Sequence, residues 1–332
     1  MIRKLFTLLV LLAVLIAAGL VYWARQPIIE SGTPVEFTIA PGSNLRSAMQ
    51  QVAAAGVPVN PTLMTILAKA TGNSTKLKAG TYDLKPGTTP IKLVAQMVRG
   101  EFAQEALVVI EGWSFRQMRQ AIDAHPALRH DTAGLSDREL LAKIGSDYTH
   151  PEGLFYPDTY LFARKSSDLL VYKQAYNLMQ KHLQQAWETR DPDLPYASPY
   201  QALIMASIVE KETGRKADRD LIAGVFVNRL KAGMLLQTDP TVIYGMGERY
   251  KGNIRRRDLS TDTAYNTYTH AGLPPTPIAL PGADSLRAAL HPAKTDALYF
   301  VARGDGSSQF SSNLNEHNNA VNRYQRRPYL HP

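Results

Sequence analysis

Residues Leu5 to Tyr22 form an uncharged apolar run of 18, interrupted only by Thr7 and Gly19. Such a run nearly crosses a hydrocarbon core, for which a helix needs about 20 residues. It therefore fixes where the rest of the chain can fold. Arg3 and Lys4 precede the run, and the positive-inside bias keeps such an N-terminus cytoplasmic. Tyr22 and Trp23 come next, where interfacial aromatics belong. The alternative is a cleaved export signal, with Ala17-Ala18-Gly19 as a small-residue site. The run outlasts a signal core of about 7–15 residues, so a retained anchor over residues 1–23 is expected. With either fate, the chain beyond the run lies outside the cytoplasm, and no second run of this kind brings it back.

With 332 residues there is room for two modest domains after an anchor. The apolar fraction of 45% suffices for ordinary cores and excludes wholesale disorder. The absence of cysteine excludes disulfides, thiol nucleophiles and thiolate metal sites. A formal charge of +8 favours anionic surfaces, but the basic residues are dispersed. The only tight run, Arg255-Arg256-Arg257, reads as a solvated turn. With no nucleic-acid-binding motif beside it, no nucleic-acid partner is expected.

Residues 24–34 carry Pro27, Gly32 and Pro34 without periodicity and read as a linker. One pattern then recurs: Phe37-Thr38-Ile39, Pro41-Gly42, Leu45 to Val52; Tyr82-Asp83-Leu84, Pro86-Gly87, Ile91 to Val98; and Leu107 to Ile110, Glu111-Gly112, Phe115 to Ile122. Each reads as strand, glycine turn and amphipathic helix. The first two copies bracket a helix near Pro61 to Ala70, giving a β-α-α-β module over 35–100. Its pattern resembles LysM domains, small modules that bind GlcNAc-containing polymers; a packing module without ligand is the alternative. Residues 101–332 form a larger α+β domain, its first part (101–134) a connecting strand-turn-helix. A long helix is expected over Ser167 to Thr189, and another after Ser198 as N-cap with Pro199 at its first position and Gly214 past its end. A further helix covers Asp218 to Ala232. The remainder reads as loops until a hairpin at Leu298 to Arg303 and Gln309 to Ser312.

The helix after Ser198 is apolar in nearly every direction: Leu203, Ile204, Met205, Ala206, Ile208 and Val209 cover most of the wheel. Glu210 falls between Leu203 and Ala206. Desolvation and the negative end of the helix dipole there both favour the protonated acid, as a general acid needs. The alternative is that Glu210 or Glu212 pairs with Lys211 or Arg215. Other chemistries lack their residues: there is no H-E-x-x-H for zinc, no S-x-x-K or G-x-S-x-G for a serine nucleophile, and Gly245-Met246-Gly247 lacks the third glycine of a dinucleotide loop. No metal is expected.

The strings PEGLFYPDTY (151–160), ASIVEKET, VFVNRL, LQTDPTVIYGMG, AYNTYTHAGLPPTPI and PGADSLRAALHPAKTDALYFVARGDGSSQFS closely resemble the endolytic murein transglycosylase (YceG/MltG-like) family. The likeness runs from the anchor to about residue 324. It implies a single-pass protein of the bacterial inner membrane with its catalytic domain in the periplasm. It also implies cleavage of the MurNAc–GlcNAc bond within nascent peptidoglycan strands, leaving 1,6-anhydroMurNAc ends, with no cofactor. By this resemblance Glu210 matches the catalytic glutamate, and Gln237, Thr238, Asp239, Tyr265, Asn266, Thr267 and Tyr268 line the groove near it. Glu152 and Asp158 shape the same groove or cap turns. The implied partners are glycan strands, the membrane and peptidoglycan synthases. A lysozyme-like hydrolase with Asp239 as second carboxylate, and a non-catalytic wall-binding scaffold, are the alternatives.

Overall fold

A computed structural model of the chain describes residues 2–326. Residue 1 of the expected anchor and residues 327–332 of the expected catalytic domain lie outside the described residues. The chain divides into two compact units, Met1–Ala106 with Leu161–Ser166, and Leu107–Tyr160 with Ser167–Pro332.

The first unit opens with α1 (Ile2–Ala24), a continuous helix. It is the one helix among the described residues long and apolar enough to cross a membrane, with a mean hydropathy of 2.8 over an 18-residue stretch within Arg3–Ala24. Leu5, Leu8, Leu12 and Ile16 are exposed, whereas the last residue, Ala24, is buried in the core of the adjoining module. Residues 24–34 are fastened rather than loose. Ile28 and Ile29 pack on that core, the Ile28 N–H donates to the Thr88 carbonyl at 2.8 Å, and the Ile29 carbonyl accepts from Gly87 at 2.8 Å. Two adjacent isoleucines suffice for this without any periodicity.

The module has the order β1 (Val35–Ile39), α2 (Leu45–Ala54), α3 (Pro61–Ala70), β2 (Gly80–Leu84), then α4 (Pro90–Arg99). β1 and β2 pair antiparallel with Phe37 opposite Tyr82, their rings stacked 5.3 Å apart. Each helix start is specified by a side chain that accepts an otherwise unpaired amide: Asn44 from Ser47, Asn60 from Thr62 and Leu63, Thr89 from Lys92. Each such cap contributes about 1 kcal/mol. Met49, Val52, Met64, Leu84, Leu93 and Met97 fill the core. The strand β3 (Gln104–Val108) comes next.

In the second unit α5 (Phe115–Asp123) and α6 (Asp137–Ile144) both begin with capping boxes, Ser114 with Gln117 and Ser136 with Glu139. β4 (Thr159–Ala163) pairs with β3, and the division between the units falls within both strands. Then come α7 (Asp168–Glu188), α8 (Pro199–Glu212), α9 (Lys216–Lys231), α10 (Asp239–Met246), α11 (Arg256–Ser260), α12 (Ala283–Leu290), the antiparallel pair β5 (Tyr299–Ala302) and β6 (Ser308–Ser311), and α13 (Leu314–Val321). α8 is the centre of the unit. Every residue from Ala202 to Val209 is buried, and α7, α9, α10 and α12 all pack on it. Leu203, Met205, Ile208 and Val209 each contribute about 1.5–3 kcal/mol by leaving water.

The stretch before β5, expected as loop, holds the short helices α10, α11 and α12. α12 has Gly282 as N-cap with no side-chain bond, so the usual start signal is missing. Its helicity comes from packing: Leu286, Ala288, Ala289 and Leu290 are buried against α8 and its neighbours.

Candidate active site

The last turn of α8 carries two glutamates, Glu210 and Glu212. At about 100° per residue they project about 200° apart, so only one can face any given partner. Glu210 faces inward. Its Oε2 accepts the Gly282 N–H at 3.0 Å and the Ser285 hydroxyl at 2.7 Å, which places an anion at the N-terminus of α12. Its Oε1 stands 3.6 Å from Arg219, and both side chains are only 6% exposed. Arg219 also reaches Asp284 at 3.3 Å. The Glu111 carboxylate lies so close on Gly282 that any side chain there would collide with it. Burial, and then the charge of Glu210, push the Glu111 carboxyl above its ordinary value. Lys211 instead donates to the Gly112 carbonyl at 3.2 Å, and the partner of Glu210 is Arg219 from the next helix.

Glu212 faces the other way. It lines a cleft of about 580 Å³ with Gln237, Asp239, Tyr268, Tyr299 and His317. The Thr238 hydroxyl donates to its carboxylate. Burial pushes its pKa up, and the neighbouring Asp239 adds to the rise; the Thr238 bond and Arg229 oppose it. Arg229 is itself buried, held by the carbonyls of Leu236 at 2.9 Å and Leu298 at 2.6 Å. The cleft thus contains a carboxyl inclined to hold its proton, a second carboxylate, an amide and aromatic faces.

Of the seven residues expected to line a groove near Glu210, three line the cleft on the Glu212 side. Gln237, Asp239 and Tyr268 line the cleft, and the Tyr268 hydroxyl donates to Asp239 at 2.6 Å. Gln237 has φ +50°, a left-handed conformation that a non-glycine residue adopts at a cost, held by its N–H to the Thr267 carbonyl at 3.1 Å. Thr238 and Thr267 are buried: Thr267 Oγ1 accepts the Thr238 N–H at 3.1 Å and bonds Thr241 Oγ1 at 2.9 Å. Asn266 is fully buried and braces the loop, donating to the carbonyls of Leu259 and Thr261 and accepting the Tyr268 N–H. Tyr265 turns elsewhere, with its hydroxyl on Thr276 and its ring against Tyr244.

Glu152 is buried, accepts the Phe115 N–H at 2.8 Å and the Tyr244 hydroxyl at 3.1 Å, and lies outside the cleft lining. Burial pushes its carboxyl up to about 7. Asp158 is exposed and accepts the Thr159 N–H. Asp123, His130 and Asp168 offer ligand atoms within 4.8 Å of one another, but the Asp168 carboxylate is already occupied by the Thr132 N–H and hydroxyl. Tyr299 and His317, whose rings stack 5.2 Å apart, had no signal in the sequence as cleft residues. They arrive from β5 and α13, far along the chain.

Residues 37–323 match the model of the YceG-like family. The chain belongs to that family. It is 35% identical to the endolytic murein transglycosylase of Bacillus subtilis, over 74% of this chain and 73% of that protein. It is 27% identical to the endolytic murein transglycosylase of Streptococcus pneumoniae serotype 2, over 94% of this chain and 63% of that protein. A crystal structure of a YceG-like protein from Listeria monocytogenes superposes with a TM-score of 0.55 at 32% identity, covering 87% of this chain and 99% of that one.

Proposed function

We propose that this protein is a peptidoglycan lytic transglycosylase, held at the inner membrane by α1 with both units in the periplasm, and that Glu212 rather than Glu210 is its acid/base. The observation that carries the assignment is the cleft: the half-buried Glu212 carboxyl meets open space beside Gln237, Asp239 and Tyr268, whereas Glu210 is enclosed by Arg219, Gly282 and Ser285. The names of the relatives supply the substrate, a murein glycan strand.

The chemistry needs one proton donor. Glu212, whose carboxyl burial inclines toward the protonated form, gives its proton to the oxygen leaving MurNAc C1 as the bond to GlcNAc breaks. The C6 hydroxyl of the same MurNAc attacks C1, and the Glu212 carboxylate takes the hydroxyl proton, regenerating the acid. Intramolecular attack gains from proximity and needs no ordered water. A hydrolase instead places a second carboxylate to attack or to activate water. Asp239 is the neighbouring carboxylate, but the Tyr268 hydroxyl occupies it. Mass analysis of fragments cut from uncrosslinked glycan tests the scheme: MurNAc-ended products should be one water lighter than reducing ends. Reducing ends alone would replace the scheme with hydrolysis.

The β-α-α-β module supports a second, LysM-like role in holding the polymer. A groove of about 660 Å³ between α2 and α3 carries Asn44, Gln50, Asn60, Thr62 and Thr65, side chains suited to sugar hydroxyls. Deleting residues 35–100 is expected to slow cleavage of long strands more than of short oligosaccharides; equal losses on both would favour a packing role.

A further inference from the structure

A second cavity of the catalytic unit, about 470 Å³, has no part in the Glu212 chemistry. α10 contributes Val242 and Met246 to it, and the segment after α10 surrounds it with Arg249, Lys251, Arg255 and Arg257 against a single acid, Asp258. Asp258 is already engaged: its carboxylate accepts the Arg255 N–H at 2.8 Å and stands 3.8 Å from Arg257. Among the described residues Arg249, Lys251 and Arg255 enter no ion pair, and Glu248, whose charge Lys251 feels, is held by Arg116. The cavity therefore presents three cations that form no ion pair among the described residues. Asn253, Thr261 and Thr263 add polar groups, and no aromatic ring lines it. That lining suits an anionic group and offers no face for a sugar to stack on, the reverse of the Glu212 cleft.

We propose that this pocket binds the carboxylates of the peptide stems that branch from the glycan strand. The proposal rests on the reading of the cleft as a peptidoglycan site. It derives from the shared helix: α10 begins at Asp239 in the cleft and ends at Met246 in the pocket, about 10.5 Å away at helical rise. Three or four extended peptide residues, at about 3.3–3.6 Å each, cover that distance. A stem attached to a MurNAc in the cleft thus delivers its carboxylates to the pocket. Guanidinium groups meet a carboxylate with paired N–H donors, and Lys251 adds a mobile point charge. A pocket filled in this way makes the enzyme sense whether a strand still carries its peptides.

The test compares the full-length protein with its Lys251→Ala/Arg255→Ala variant on two substrates: uncrosslinked strands with their peptides, and the same strands stripped by an amidase. Both side chains are exposed, and matched circular dichroism and melting establish an intact fold. The double variant should raise KM for peptide-bearing strands about fivefold to tenfold and leave stripped strands unchanged. Equal losses on both substrates, or on neither, would overturn the proposal. So would inorganic pyrophosphate competing as strongly as a free stem peptide, which would make the pocket a phosphate site. Wild-type protein that cleaves neither substrate would unseat the transglycosylase reading instead; strand affinities of the two proteins, with and without peptides, would still decide the pocket.

Discussion

Glu210 and Glu212 are two residues apart on one helix, yet they occupy opposite kinds of surroundings. Glu210 has its charge answered on every side, by an amide, a hydroxyl and a guanidinium. Glu212 has one hydroxyl and the charge of Arg229 in its favour, a neighbouring carboxylate against it, and a cleft. Burial alone does not make an acid useful. A carboxylate whose oxygens are all taken up by the protein has no face open to a substrate, whereas one at a cleft does. Glu152 marks a third condition: it is buried with three donors and no cation, its carboxyl pushed up to about 7 by burial, but it is closed to solvent and lies outside the cleft.

The sharpest way to break the contrast is Glu212→Gln, which keeps the shape and removes the proton. Cleavage, measured by release of anhydro-ended fragments, should fall by at least ~10²-fold, with the melting temperature near that of the wild type. Near-normal turnover would remove Glu212 from the mechanism. Glu210→Ala should act mainly on stability, because it strips the buried Arg219 guanidinium of one of its two carboxylates and leaves only the more exposed Asp284. Removing one partner of a buried pair costs up to about 3–5 kcal/mol, and less where a second carboxylate remains, readable as a lower urea midpoint. A variant of wild-type stability that has lost all activity would instead return the catalytic role to Glu210.

The smallest effect is expected from Thr238→Val, and it concerns pH. The Thr238 hydroxyl favours the charged form of Glu212 and so lowers its pKa against the burial that raises it. A general acid must be protonated, so the rate falls as pH rises through that pKa. Without the hydroxyl the pKa rises further, and the alkaline fall of kcat should move to higher pH. A shift to lower pH, or none, would mean that the limb belongs to another group.

Much of this architecture was legible in the chain. The apolar run, the order β-α-α-β, the buried helix after Ser198 and the β5–β6 hairpin all rest on local signals: periodicity, caps and turn residues. α12 was not legible, since it has no side-chain cap and is short enough that only packing makes it a helix. The candidate site was half legible. The motif containing both glutamates stands out, as do Gln237, Asp239 and Tyr268, but Tyr299 and His317 do not, because strand and helix positions distant in sequence bring them in.

By itself the sequence determined that α8 would be buried and would end in two acids pointing opposite ways, because helical geometry and side-chain polarity are local properties. Which acid met a cleft was decided by residues far along the chain: Gly282 and Ser285, 72 and 75 positions after Glu210, enclose one, and Thr238, 26 positions after Glu212, supports the other. A helical wheel gives the angle between two side chains; only the packed fold sets what stands in each direction, because desolvation and hydrogen bonding depend on neighbours that no local pattern specifies.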